Sequence, residues 1–197
     1  MADKTISKAR GDDSSPLAIF LENINKTFGS VQANKDVCLS VVPGTIHGIV
    51  GENGAGKSTL VSILYGFYSA DSGTVAISGE PVRLRSSADA IAAGIGMVHQ
   101  HFMLVPNFTV LENIILGHEG GSDLKAGARQ AEASLKGITE RYGLSVDLQA
   151  VVQDLPVGLQ QRVEILKALY RGARILILDE PTGCLLYTSD AADESCS

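Results

Sequence analysis

The feature that most restricts the fold of this chain is a glycine-rich stretch, residues 51–59, with the spacing G-x-x-x-x-G-K-[ST]. In such a loop the backbone N–H groups surround a phosphate, and the helix that follows adds the positive end of its dipole. An apolar segment of strand type, residues 45–50, precedes the loop, and an apolar pattern of helical spacing follows it. This context favours a nucleotide-binding loop over an ordinary glycine-rich turn. The predicted binding residues are Gly51, Glu52, Asn53, Gly54, Ala55, Gly56, Lys57, Ser58 and Thr59.

Two side chains of this loop are predicted to act directly on the ligand. Lys57 is expected to reach the β- and γ-phosphates of a nucleoside triphosphate, and the Ser58 hydroxyl to ligate Mg²⁺. Gly51, Gly54 and Gly56 are expected to allow the tight turn that aims the N–H groups inward.

Composition excludes several classes of protein. The chain has 197 residues, 45% of them hydrophobic, and a formal net charge of −6. No apolar run approaches the roughly 20 residues of a membrane-spanning helix. The acidic balance and the lack of a Lys/Arg cluster speak against a nucleic-acid partner. Three cysteines without metal-ligand spacing indicate reduced thiols, and the polar residues 1–16 are expected to form a disordered leader.

Two apolar segments before the loop, residues 17–24 and 37–42, predict a pair of antiparallel strands. Phe28 lies between them in a polar, turn-rich stretch. Its ring is predicted to stack on adenine, as aromatic rings do on nucleic-acid bases. The alternative is a phenylalanine that packs in the core or against a turn.

A compact apolar run, residues 95–99, predicts a strand that ends at Gln100. Open α/β sheets place ligand-contacting groups at this end of a strand. The Gln100 amide is therefore predicted to complete a Mg²⁺ shell or to hold the attacking water, with a solvated loop residue as the alternative. His99 and His101 have no carboxylate or cysteine at ligand spacing, so we interpret both as structural or exposed.

The middle of the chain is predicted to be helical. Thr109 and Glu112 match a capping box that opens one helix, and a second helical pattern runs to Tyr142 with a glycine at its end. A loop-to-helix junction follows at residues 154–166. Because strand signals are weak here, this part is interpreted as a helical insertion between strands of a sheet.

The last clear element is an apolar segment, residues 174–178, that predicts a buried parallel strand and ends in two acids. Asp179 is predicted to hold Mg²⁺ through its water shell, and Glu180 to polarise the water that attacks the γ-phosphate. The alternative, acids that only aid solubility, is disfavoured by the phosphate loop upstream.

In this order, the phosphate loop, Gln100, the region 155–161 and the pair Asp179-Glu180 resemble the ATP-binding subunit of ABC transporters. The resemblance covers about residues 17–183. The sequences of residues 94–105 and 161–173 are similar to those of simple-sugar and nucleoside importers, in which one chain carries two cassettes. Within this group, His-Phe-Met-Leu-Val at 101–105 favours the nucleoside branch.

The resemblance implies an α/β fold, a P-loop NTPase with a RecA-like core, an antiparallel β subdomain and a helical insertion at about residues 101–170. It implies ATP and Mg²⁺ as cofactors, with Glu180, Gln100 and Lys57 as catalytic residues and Ser58, Gln100 and Asp179 at the metal. A second cassette would complete an ATP sandwich. Permease membrane subunits, a solute-binding protein and a peripheral place on the cytoplasmic face of the cell membrane are also implied.

The chain departs from this family in two places. The usual Leu-Ser-Gly-Gly-Gln signature is Leu155-Pro156-Val157-Gly158-Leu159 here, which removes a hydroxyl and a backbone N–H. Residues 184–194 resemble a translated sequencing adapter, so 184–197 are expected to be a non-native tail on a C-terminally truncated cassette that hydrolyses ATP slowly or not at all. The alternatives are a soluble ABC ATPase acting on nucleic acid or ribosomes, an inactive nucleotide-binding fragment and, less favoured, a kinase or GTPase.

Overall fold

The first element of the computed structural model, which describes residues 16–99, 102–117 and 124–179, is a long β-hairpin. Strand β1 (Ile19–Phe28) pairs antiparallel with β2 (Val31–Val41), and Gly29, at φ 58°, makes the turn between them. The predicted pair of antiparallel strands is confirmed. Both strands are longer than the apolar segments, because backbone pairing continues through the polar residues next to the turn.

The hairpin belongs to a four-stranded sheet with the order β2-β1-β3-β4, in which β3 (Ser72–Ile77) and β4 (Glu80–Val82) also pair antiparallel. Leu21 and Ile24 of β1 are fully buried, and Leu17, Phe20 and Ala76 form a small apolar cluster. This sheet is the antiparallel β part that the family resemblance implied.

Helix α1 (Lys57–Leu64) begins directly after the glycine-rich loop and buries Leu60, Ile63 and Leu64. A shorter helix, α2 (Ser87–Ala92), is capped by the Ser86 side chain. Helix α1 agrees with the apolar pattern of helical spacing predicted after the glycine-rich loop.

The predicted strand at residues 45–50 is wrong for this structure. These residues form no strand, and Ile46 and Val50 are almost fully exposed. A strand with apolar residues on both faces needs neighbouring strands and covering layers, and no strand in the described part of the chain pairs with it. Residues 45–50 are apolar, as a buried strand requires, but a strand also needs partner strands from other parts of the chain.

The second half contains a helical core. Helices α3 (Val110–Ile115), α4 (Leu124–Tyr142) and α5 (Val157–Tyr170) pack together with a short 3₁₀ turn (Val152–Asp154). The capping box between Thr109 and Glu112 is present, as predicted. The core residues of this cluster are Val110, Leu111, Ile114, Ile115, Ala131, Leu135, Val152, Val163 and Leu166.

Strands β5 (Ile95–Val98) and β6 (Ile175–Leu178) form a separate two-stranded sheet. β5 is buried throughout, and a side chain at Gly96 would come within 2.8 Å of the Ala173 Cβ atom. The strand at residues 174–178 was predicted to be buried on both faces. This prediction is wrong for β6, because its residues Leu176 and Leu178 are exposed.

The chain divides into two compact units between Ile95 and Gly96. No helix among the described residues is long and apolar enough to cross a membrane. The predicted leader falls almost entirely outside the described residues, as does the predicted tail at 184–197, and the limits 17–183 and 101–170 stay predictions.

Candidate phosphate-binding site

The start of α1 has the features of an anion-binding site. Its N-cap residue is Gly56, no side chain caps the helix, and the first turn contains no acidic residue. The first N–H groups of the helix therefore have no side-chain acceptor and lie at the positive end of the helix dipole. An anionic group held at this loop would satisfy them.

Two of the three loop glycines adopt the backbone conformation that the sequence predicted. Gly54 and Gly56 have φ near +84°, a left-handed conformation that favours glycine. Gly51 has no positive φ, and a Cβ there would make ordinary contacts, the nearest 3.6 Å from the Cβ of Ala55. At Gly51, therefore, neither a positive φ nor close packing requires a glycine in this structure.

Gly56 is also fixed by its packing against β2. A side chain at this position would overlap the carbonyl oxygen of Ala33 and lie 2.8 Å from Nδ2 of Asn34. The same Nδ2 donates a hydrogen bond of 3.1 Å to the Gly56 carbonyl oxygen. Asn34 is only 5% exposed, and its Oδ1 has no hydrogen-bond partner among the described residues. Sequence reasoning missed this residue, because a polar residue in a strand gives no local sign of a contact 22 positions away.

Lys57 folds back over the loop that it follows. Its Nζ donates hydrogen bonds to the carbonyl oxygens of Gly51 at 2.6 Å and Glu52 at 2.7 Å. These contacts hold a positive charge at the loop. Ser58, the next residue, is exposed within the first turn of α1.

Phe28 lies at the end of β1 and is 41% exposed, so it is not a core phenylalanine, but its contact with Tyr68 in the turn after α1 fits the turn-packing alternative. Its ring forms an edge contact with Tyr68, with centroids 5.0 Å apart, and the Lys26 ammonium lies 5.3 Å from its centroid. Lys26 faces Asn34 across the hairpin, and Asn34 contacts Gly56. Phe28 is two residues from Lys26, about 7 Å along the strand. The hairpin thus joins the exposed ring to the glycine-rich loop.

Asp179 comes directly after β6, and its backbone N–H donates to the Val98 carbonyl oxygen at 3.1 Å. Asp179 therefore lies directly after the end of a paired strand, as predicted. Gln100 and Glu180 lie outside the described residues. Ser58 belongs to the first unit and Asp179 to the second, so the joint metal site stays a prediction.

The region 155–161 begins α5 in an unusual way. Pro156 is the N-cap, and its carbonyl oxygen accepts from the N–H groups of Leu159 and Gln160. The missing proline N–H therefore belongs to the cap residue and not to the helix. A Cβ at Gly158 would meet nothing within 4 Å, so the backbone is open there.

Farther along α5, Lys167 contacts the segment that follows Gln100. Its Nζ donates to the Met103 carbonyl oxygen at 2.9 Å and lies 3.9 Å from the buried Glu164 carboxylate. Burial lowers the pKa of Lys167, partly offset by the negative charge of Glu164. No local pattern in the sequence indicates this contact, which spans 64 positions.

The chain is similar in sequence and in fold to known proteins. The family model described as ABC transporter matches residues 34–183. The guanosine import ATP-binding protein NupO of Bacillus subtilis is 50% identical over 83% of this chain and 32% of its own length. The glucose import ATP-binding protein TsgD13 of Haloferax volcanii is 49% identical over 85% of this chain and 36% of its own. The chain thus spans about a third of these relatives. The dimeric structure of a bacterial ABC transporter cassette superposes with a TM-score of 0.64 at 30% identity, over 88% of this chain and 78% of that one.

Proposed function

We propose, because this chain belongs to the ABC transporter family of ATP-binding proteins, that it binds ATP and is part of an ATPase subunit that powers import of nucleosides or simple sugars. The observation that carries the proposal is the start of α1. There Gly56 adopts a left-handed conformation that a side chain would not fit, and Lys57 lies over the loop. This combination suits close approach of a phosphate to the backbone.

In this proposal, the N–H groups of the loop and of the first turn bind the β- and γ-phosphates. Lys57 exchanges its two carbonyl acceptors for phosphate oxygens, which form stronger charge-assisted hydrogen bonds. Phe28 stacks on the adenine ring. The exposure of this ring and its connection to Gly56 through β1 and β2 support that assignment.

Mg²⁺ is the proposed metal cofactor, because the residues predicted to bind it carry oxygen donors. Ser58 offers a hydroxyl and Asp179 a carboxylate, the hard ligands that Mg²⁺ prefers alongside phosphate oxygens and water. The described residues contain no group of three or more His, Cys, Asp or Glu side chains that could by itself hold a metal ion. When bound, the ion would neutralise charge that develops on the phosphates. Gln100 and Glu180 are proposed to position and polarise the attacking water.

A second cassette is the proposed partner for hydrolysis, and the dimeric solved cassette supports such pairing. The open backbone at Gly158 and the start of α5 would contact the γ-phosphate bound by that partner, without the serine hydroxyl that Pro156 replaces. Permease subunits and a solute-binding protein would complete the importer at the cytoplasmic face of the membrane. The functions for which the two relatives are named, guanosine and glucose import, support the two solute classes.

One observation favours a narrower activity for the 197-residue chain itself. The apolar segment before the phosphate loop is exposed, with Ile46 and Val50 free of strand contacts within the described residues. A phosphate loop that follows an unpaired segment is less firmly held than one that follows a central strand of a sheet. Nucleotide binding with little turnover is therefore the expected behaviour of this chain in isolation.

Calorimetric titration with Mg-ATP tests the proposal. We expect Lys57→Ala to weaken binding about ten- to hundredfold, because hydrogen bonds to charged groups contribute roughly 1.5–3 kcal/mol. Lys136→Ala is the matched control, since it removes the same charge from an exposed position on α4. Equal affinity of both variants and the parent chain for ATP would refute a role for this loop.

A further inference from the structure

We infer that Asp71 and Tyr68 are positioning residues for base recognition, and that they hold the Phe28 ring in the orientation that stacks on adenine. This inference rests on the proposed ATP binding and adds to it two residues outside the phosphate loop and the β-hairpin.

Asp71 fastens the end of β1 just before Phe28. One carboxylate oxygen accepts from the Lys26 ammonium at 2.8 Å, and the other accepts from the Thr27 backbone N–H at 2.7 Å. The Asp71 backbone N–H in turn donates to the Asn25 carbonyl oxygen at 2.8 Å. Three consecutive residues of the strand are therefore tied to one turn residue.

The hydrogen bond from Lys26 also places its ammonium near the aromatic ring. Nζ lies 5.3 Å from the Phe28 centroid, within the range of a cation–π contact. Without the Asp71 acceptor, a lysine side chain with four rotatable bonds would not be confined to this position. Asp71 thus acts on the ring through Lys26 and through the backbone at Thr27.

Tyr68 contacts the ring from a different segment, the turn after α1. The two rings are 5.0 Å apart at an interplanar angle of 71°, an edge-to-face arrangement. Tyr68 is 44% exposed and Phe28 41%, so both retain open surface beside the contact.

The physical effect of this arrangement is preorganisation. A ring that is free to change rotamer loses conformational entropy when a base stacks on it, whereas a ring held by Lys26 and Tyr68 has already lost much of that freedom. The gain concerns only ligands that contain a base. Phosphate binding at Gly56 and Lys57 does not depend on it.

The experiment compares Mg-ATP with inorganic tripolyphosphate, which has the phosphates and no base, by calorimetric titration of the purified chain. We expect Tyr68→Ala and Asp71→Ala to weaken ATP binding about two- to tenfold and to leave tripolyphosphate binding unchanged. Tyr68→Phe, which keeps the ring, should bind ATP like the parent chain. Asp71→Asn loses the ion pair and keeps an acceptor for Thr27, so its loss should be smaller than that of Asp71→Ala.

The outcomes separate this inference from the proposal beneath it. The positioning role would be overturned if Tyr68→Ala and Asp71→Ala weakened the affinity for both ligands equally, or if both variants bound ATP like the parent chain. In either case, weaker ATP binding by Phe28→Ala would still uphold the base contact. A parent chain that binds neither ligand would refute the proposed function itself. If Asp71→Ala fails to fold by circular dichroism, Tyr68→Ala and Asp71→Asn decide.

Discussion

The side-chain amide of Asn34 donates to the backbone carbonyl of Gly56, and so joins strand β2 to the residue at which the phosphate loop becomes helix α1. The contact is buried on the Asn34 side, and Gly56 is packed too closely against β2 to carry a side chain. The conformation of the loop therefore depends on the hairpin as well as on its own glycines.

Asn34→Ala should weaken this support without removing the loop. The Gly56 carbonyl oxygen keeps its hydrogen bond from the Leu60 N–H, so only one hydrogen bond is lost, about 1 kcal/mol. We expect a comparable fall in the free energy of unfolding and about a two- to tenfold weaker affinity for Mg-ATP. Denaturant titration and calorimetry measure both quantities. Asn107→Ala, at an exposed position, is the control, and a drop of the same size there would argue against a specific role for Asn34.

Gly56→Ala should be far more damaging than a glycine substitution elsewhere. At φ 83° the new Cβ is strained, and it would also overlap the Ala33 carbonyl oxygen, so the loop must move. We expect loss of measurable ATP binding and a lower melting temperature. Gly137→Ala is the matched control, because that site lies within α4 with open space around it, and alanine there should stabilise by about 0.5–1 kcal/mol. An ATP-competent Gly56→Ala variant would show that the packing against β2 is dispensable.

Elements with local signals were predicted well from the sequence. The capping box of Thr109 and Glu112 and the glycine after Tyr142 mark where helices begin and end, and both positions agree with the structure. These signals depend on residues within a few positions of each other. A single segment therefore contains the information needed.

Features that depend on distant parts of the chain were not predicted, or were predicted wrongly. Residues 45–50 have a strand-like pattern, but a strand forms only where another strand pairs with it. No strand among the described residues pairs with this segment. Asn34 and Lys167 bind backbone carbonyls 22 and 64 positions away. A carbonyl acceptor leaves no trace in the residue type that carries it, so the sequence could not reveal either contact.

Asn113→Ala should destabilise the helical core strongly. Asn113 is fully buried, its Oδ1 accepts from the Val105 N–H at 2.7 Å, and its Nδ2 donates to the carbonyl oxygens of Val105 and Thr109, both at 3.0 Å. Removal leaves the part-buried Val105 N–H without this acceptor, at a cost of about 1–3 kcal/mol. Urea denaturation followed by circular dichroism measures the change. A loss no greater than that of the exposed control Asn107→Ala would contradict the structural role.

The capping box of α3 should make stability depend on pH through Glu112. Hydrogen bonds from the Thr109 backbone N–H, and then from its hydroxyl, lower the pKa of the Glu112 carboxyl below its ordinary value of 4.5. Because the folded-state pKa is the lower one, the contribution is fully present above the unfolded pKa and is lost as pH falls through the folded pKa. Glu112→Gln can make similar hydrogen bonds without titrating. We therefore expect the free energy of unfolding to fall more steeply in the parent chain than in this variant between about pH 5 and pH 3. Parallel slopes in urea titrations over that range would show that the charged form of Glu112 is not preferred in the folded state.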